Sequence, residues 1–357
     1  MPSICRECGV PKIISRTHSW RDGCITNKGG GADFSLYEVS FHNTLIEEVG
    51  KRLGVSIDWI VYIAGRHAAA RIVRDMLAPY PRMGKLIFKR PLFRLGQRFL
   101  LEFARAIGMG DIELIEHVKW KRGSVRITNP FHLAHCTAVI LGGLDVMYGF
   151  PVAFTAGVDG DSYIGELLPG EKDDIGSEDA FIRLTTDDLT PGKQDEAQRF
   201  TACSACGAPA ELGERFLFDL EGGIITDRES GERFIFYGHH SLNTILREFE
   251  KELGRDIGDL FMEVEKESFA AKLEGSLGDR NLWDEEEMRR YLALQGLGTL
   301  TALEKREDNT YIEVANAFVT PLVAGRLAAL WEREHVAEGN CTYQAFKNTL
   351  RLTITAQ

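Results

Sequence analysis

Cys5-Arg6-Glu7-Cys8-Gly9 returns as Cys203-Ser204-Ala205-Cys206-Gly207, and the rest of the chain keeps the same order of markers. Asn43-Thr44-Leu45-Ile46 is matched by Asn243-Thr244-Ile245-Leu246, and Lys51-Arg52-Leu53-Gly54 by Lys251-Glu252-Leu253-Gly254. Gly108-Met109-Gly110 is matched by Gly296-Leu297-Gly298, Asn129-Pro130-Phe131 by Asn316-Ala317-Phe318, and Arg183-Leu184-Thr185 loosely by Arg351-Leu352-Thr353. A self-match at this distance means two units of one fold, not a solenoid, whose period is about 20–50 residues. Two such units pack most simply about a pseudo-two-fold axis, as the halves of an isologous dimer do.

A chain of 357 residues has room for two domains, each with its own core. We divide it into 1–200 and 201–357, each a cysteine knuckle followed by a domain, with 159–200 partly an acidic, Gly-containing linker. The net charge of −11 argues against nucleic acid as a partner. No apolar run reaches the ~18 residues of a membrane span. The polar, cysteine-rich opening does not read as a signal peptide. Cytoplasmic localisation is therefore expected, with thiols free or used for metal.

Hydrophobic periodicity gives helices over 36–54, 56–77 and 91–107, then strands over 112–118 and 124–129. A helix over 131–148 and a closing strand over 180–185 complete the first half. The second half repeats the pattern with strands at 299–305 and 310–315, a helix at 318–334 and a strand at 349–355. Residues 1–35 read as an irregular knuckle. The fold class is α+β, each half a small antiparallel sheet packed on helices. Asn129 and Asn316, at strand-to-helix junctions, are read as N-caps.

The strongest chemical signal is the pair of C-x-x-C-G turns, each presenting two thiolates to one metal. A structural Zn²⁺ wants four ligands, so each pair needs a partner. Symmetry favours one shared site of Cys5, Cys8, Cys203 and Cys206. The alternative is two local sites, one using Cys24 and His18, the other His239 or His240. Zn²⁺ fits better than an iron–sulfur cluster because no redox partner motif accompanies the cysteines. Elsewhere His132, His135 and Cys136 form a cluster that can be catalytic or merely begin an apolar helix. The second half has Val319, Leu322 and Val323 there, so any such site belongs to the first half. The basic, apolar-striped stretch from Lys85 to Arg105 is an amphipathic helix with a solvated face or a docking face.

Each half resembles the 4-vinyl-reductase-related domains, described as predicted hydrocarbon- or small-molecule-binding modules. The resemblance rests on the helical first part and the hairpin ending in Ile127-Thr128-Asn129 or Val314-Ala315-Asn316. It extends to the helix with Gly142-Gly143 or Gly325-Arg326-Leu327. It implies an α+β sensor-like fold related to vesicle-tethering subunits, a buried apolar pocket, and a ligand-sensing or accessory role beside an enzyme partner protein. It also implies dimerisation, here a homodimer. Relatives that bind Zn²⁺ carry cysteines late in the domain, whereas Asp161–Pro169 has none and the second half offers only Cys341. Heme-binding relatives need a helical His, for which His67 is the match here. The expectation is thus a non-catalytic protein binding a small apolar or aromatic molecule, with structural zinc. An enzyme component of reductase or lyase type using His132, His135 and Cys136 is the alternative. An interaction scaffold using the basic helix is a third.

Overall fold

A computed structural model describes residues 3–28, 33–77, 90–118, 122–170, 198–253, 257–275, 277, 280–346 and 348–357. The first half contains α1 (Lys12–Thr17), β1 (His18–Arg21), β2 (Cys24–Asn27), β3 (Asp33–Glu38), α2 (Val39–Leu53), α3 (Asp58–Leu77) and α4 (Arg90–Ala106). It continues with β4 (Asp111–Val118), β5 (Arg122–Thr128), α5 (Leu133–Tyr148), β6 (Val152–Asp159) and β7 (Ser162–Pro169). The second half runs α6 (Ala210–Arg215), β8 (Phe216–Asp219), β9 (Ile224–Asp227), β10 (Arg233–Gly238), α7 (His239–Leu253) and α8 (Ile257–Glu274). It ends with α9 (Glu285–Gln295), β11 (Thr299–Lys305), β12 (Thr310–Ala315), α10 (Thr320–His335), β13 (Gly339–Phe346) and β14 (Thr349–Ala356). The fold is α+β, with the same order of elements on both sides.

Among the described residues three antiparallel sheets organise the fold. Two have four strands each, ordered β4-β5-β7-β6 and β11-β12-β14-β13. The third has six strands, β1-β2-β3-β10-β9-β8, and takes three from each half. Its central pair sets Leu36 opposite Phe236, Ser35 opposite Tyr237 and Tyr37 opposite Ile235. Leu36 and Phe236, which stand opposite each other in this pair, hold the same place in the element order of their halves. The division expected near residue 200 thus separates two stretches of chain that share one sheet.

Residues 33–38 form a strand, although 33–35 are expected in the irregular knuckle and 36–38 at the start of the helix over 36–54. Five of these six residues are buried. A strand covered on both faces loses the alternation that marks an exposed one, and its apolar run then blends into the helix that follows. The knuckle region is also more ordered than expected, because the hairpin β1–β2 lies within it. The closing strand of the first sheet is β7, upstream of the expected strand at 180–185, which lies outside the described residues. Asn129 and Asn316 are not N-caps. They take left-handed backbone at φ 53° and 55°, and the caps are His132 and Val319. Asn is the commonest non-Gly residue to tolerate that conformation, which accounts for its presence at both junctions.

The glycines of Gly108-x-Gly110 and Gly296-x-Gly298 meet the opposite half. A Cβ on Gly223 would lie 2.2 Å from the Gly110 carbonyl carbon, and one on Gly23 would lie 2.3 Å from that of Gly298. Gly110 N donates to Gly223 O at 2.9 Å and Gly298 N to Gly23 O at 3.1 Å. Each half's front hairpin is thus seated, backbone on backbone, against the helix-to-strand turn of the other. A single continuous core runs through both halves, and a small satellite forms around Leu141, Leu144 and Val125.

Candidate metal centre and the cavity beside it

Each knuckle is a tight turn closed by its own backbone. Gly9 N donates to Cys5 O at 3.0 Å and Cys5 N to Val10 O at 2.9 Å. Gly207 N and Cys203 N repeat these bonds to Cys203 O and Ala208 O, both at 2.8 Å. The fold brings the two turns together. Cys5 Sγ lies 3.8 Å from Cys203 Sγ, and Cys8 Sγ 3.5 Å from Cys206 Sγ. All four sulfurs lie within 4.8 Å of one another. A tetrahedral site with ~2.3 Å metal–sulfur bonds spaces its sulfurs by about 3.8 Å. The cluster therefore fits one metal ion, with Cys5 and Cys203 buried and Cys8 and Cys206 half-buried.

The turns also prepare the sulfurs electrostatically. Backbone N–H groups of Cys8 and Glu7 directed at Cys5 bring its thiol down to about 7. Burial raises Cys8 and Cys203. Thiols this close share their proton losses, and a cation favours the deprotonated set. Glu7 reaches across the site, accepting from Ser204 Oγ at 2.7 Å and Ala205 N at 3.2 Å, and so ties the first turn to the second.

The local alternatives lie elsewhere. Cys24 is buried and donates to Asn316 O at 3.8 Å. His18 bonds Thr17 Oγ1 at 2.8 Å through Nδ1, and His239 bonds Ser35 Oγ at 2.9 Å. The side chain of His240 lies outside the described residues. Cys341 is on the edge strand β13, and His67 is buried on α3. In the basic stretch, residues 85–89 lie outside the described residues, while Arg98 pairs with Glu102 and Arg105 with Asp111.

Part of the histidine cluster borders a cavity of about 150 Å³. The cavity lies between α3, α4, α5, the β4–β5 hairpin and β10, and its walls are overwhelmingly apolar. His135 is buried in its wall and bonds Tyr237 Oη at 3.0 Å through Nδ1. His42 bonds the same hydroxyl at 3.2 Å. Burial holds His135 well below its ordinary pKa and His42 at about 3, so both imidazoles are neutral hydrogen-bonding groups near pH 7. His132 caps α5, accepting from His135 N at 3.3 Å, with Asp58 3.7 Å away on its outer side. Cys136 points elsewhere, donating to Met109 O at 3.2 Å, and burial lifts its thiol to about 11.

At the corresponding place in the second half the space is filled. Phe103, Ile107, Val139, Tyr237 and Gly238 line the cavity. Their counterparts, counted along matching elements, are Tyr291, Gln295, Arg326, Tyr37 and Glu38. These form a buried network. Arg326 donates to Glu38 at 2.5 Å, Glu265 at 2.6 Å and Tyr291 Oη at 2.9 Å. Lys272 joins Glu38 at 3.0 Å, and Tyr37 donates to Glu265 at 2.5 Å. Two cations against two carboxylates balance the charge. Sequence reasoning missed this network, although a Tyr recurs at 37 and 237 and the match sets Arg326 against Val139.

No protein-family model matches the chain, and no curated protein matches it.

Proposed function

We propose that this protein binds one small apolar or aromatic molecule in its first half, and that a structural Zn²⁺ on Cys5, Cys8, Cys203 and Cys206 fastens its two halves. In this reading the halves are tandem 4-vinyl-reductase-related modules, non-catalytic, acting in the cytoplasm as a sensor or beside an enzyme. The observation that carries it is the apolar cavity at Tyr237 and His135, since a void of about 150 Å³ is what a single-ring hydrocarbon needs. The neutral state of His135 and His42 favours binding over acid–base catalysis, which works best with a group poised near the operating pH. A Cys₄ shell leaves no open coordination position, so the metal is structural.

Two measurements test the reading. Native mass spectrometry of the protein as isolated is expected to show about one metal ion per chain, falling to near zero in Cys206→Ser. Toluene is expected to bind once per chain by calorimetry, and Gly143→Phe to abolish it. A Cβ at Gly143 meets only Val73, at 3.9 Å, which leaves room for a side chain to grow into the void. Toluene binding undiminished in Gly143→Phe would sink the cavity assignment.

A further inference from the structure

Gln97 of α4 and Ser241 of α7 both line the cavity, and they are only 8% and 5% exposed. No hydrogen bond from either side chain is found among the described residues, whereas His135 in the same wall bonds Tyr237 Oη through Nδ1. Burying an amide and a hydroxyl without partners is costly, and an apolar wall offers none. Among the described residues no Lys, Arg, Asp or Glu lines the space, so these walls offer an ionised ligand no counter-charge.

We infer that the ligand is an uncharged oxygenated hydrocarbon, an alcohol, ketone or amide on a ring or short chain, held by Gln97 and Ser241. This rests on the proposed reading that the cavity takes a small apolar molecule, and it adds which molecules are selected. Gln97 offers both a donor and an acceptor, and Ser241 a hydroxyl that does either, so a carbonyl or a hydroxyl is equally served. Ser241 belongs to the second half and Gln97 to the first, so the polar contacts require the halves to be assembled. In the second half Glu285 and Phe41 stand at the corresponding positions, which restricts this recognition to one side of the molecule.

The test compares four probes of one ring size on the full chain by calorimetry: cyclohexanone, cyclohexanol, methylcyclohexane and cyclohexanecarboxylate. The oxygenated neutral probes are expected to bind about tenfold more tightly than methylcyclohexane, and the carboxylate not detectably. Gln97→Met and Ser241→Ala are each expected to weaken cyclohexanone by about three- to tenfold while leaving methylcyclohexane unchanged or improved. Because the readout is the ratio between probes within one variant, a general loss of folding would show as loss of both. Equal binding of cyclohexanone and methylcyclohexane, unaffected by either substitution, overturns the inference, with ordered water then satisfying the two side chains, but leaves the apolar cavity standing. Failure of every probe, methylcyclohexane included, overturns the cavity reading and the inference with it.

Discussion

Arg326 and Glu38 do for the second half what empty space does for the first. Both are about 1% exposed or less, and each is useful only while the other is charged. Burial alone would raise the Glu38 carboxyl, but Arg326 and Lys272 outweigh it and hold the group at about 2. Burial raises Glu265 instead, against the pull of Arg326. Because Glu38 is depressed, its contribution is complete above its ordinary value near 4.5 and is lost as pH falls from there toward about 2. Glu265 works in the opposite sense, so Glu38 carries the acid sensitivity. Glu38→Gln is expected to cost roughly 3 kcal/mol at pH 7, a difference that shrinks as pH approaches about 2. Urea denaturation at a series of pH values measures it, and a pH-independent difference would refute the assignment. Arg326→Met leaves two buried carboxylates without their main partner and is expected to cost ~3–5 kcal/mol. The combined Arg326→Met/Glu38→Gln chain should lose less than the sum of the two, as a double-mutant cycle would register.

Among the elements, the Gly-x-Gly turns show how a sequence signal can be real while its meaning waits for the fold. Their position between helix and strand is legible in the chain. Their need for glycine is not, because a Cβ on Gly108 would meet Phe234 O and one on Gly296 would meet Phe34 O, both at 2.7 Å and both from the opposite half. Gly223 has φ 65° and backbone of Gly110 against it, whereas Gly231 has φ 70° and nothing within 4 Å. Gly231→Ala is expected to cost about 1 kcal/mol for backbone strain alone. Gly223→Ala should cost at least ~2 kcal/mol more because the seated turn must move. Denaturant midpoints compare them, and equal losses would mean the contact between halves is soft. The last three residues of β3 read as helix in the sequence for a related reason. It pairs with β2 at its start and, along most of its length, with β10, some 200 residues later in the chain.

Across the whole molecule, the four-cysteine cluster and the central sheet bring the same two halves together in different ways. With a metal bound as proposed, the four sulfurs would close a long loop between the knuckles, while β3 and β10 share a buried ladder that needs no ion. Removal of metal by a chelator is therefore expected to lower the melting temperature while leaving the far-ultraviolet circular dichroism at 25 °C nearly unchanged. Loss of secondary structure on chelation would show instead that the knuckles hold the sheet together. Among the described residues no helix is long and apolar enough to cross a membrane.

By itself the sequence determined the α+β class, the hairpins β4–β5 and β11–β12, the helix after each, and the four cysteines worth pairing. These follow from local periodicity and from like positions recurring in like order, which one chain displays without reference to its partner segments. Only the tertiary structure decided that the halves share a sheet, that Tyr237, His135, Gln97 and Ser241 border one void, and that Arg326 closes the matching space. Those outcomes depend on contacts between residues roughly 100 to 290 positions apart in the chain. Whether a buried space is filled by a charged pair or left apolar is set by the side chains that meet there, and no local pattern records such meetings.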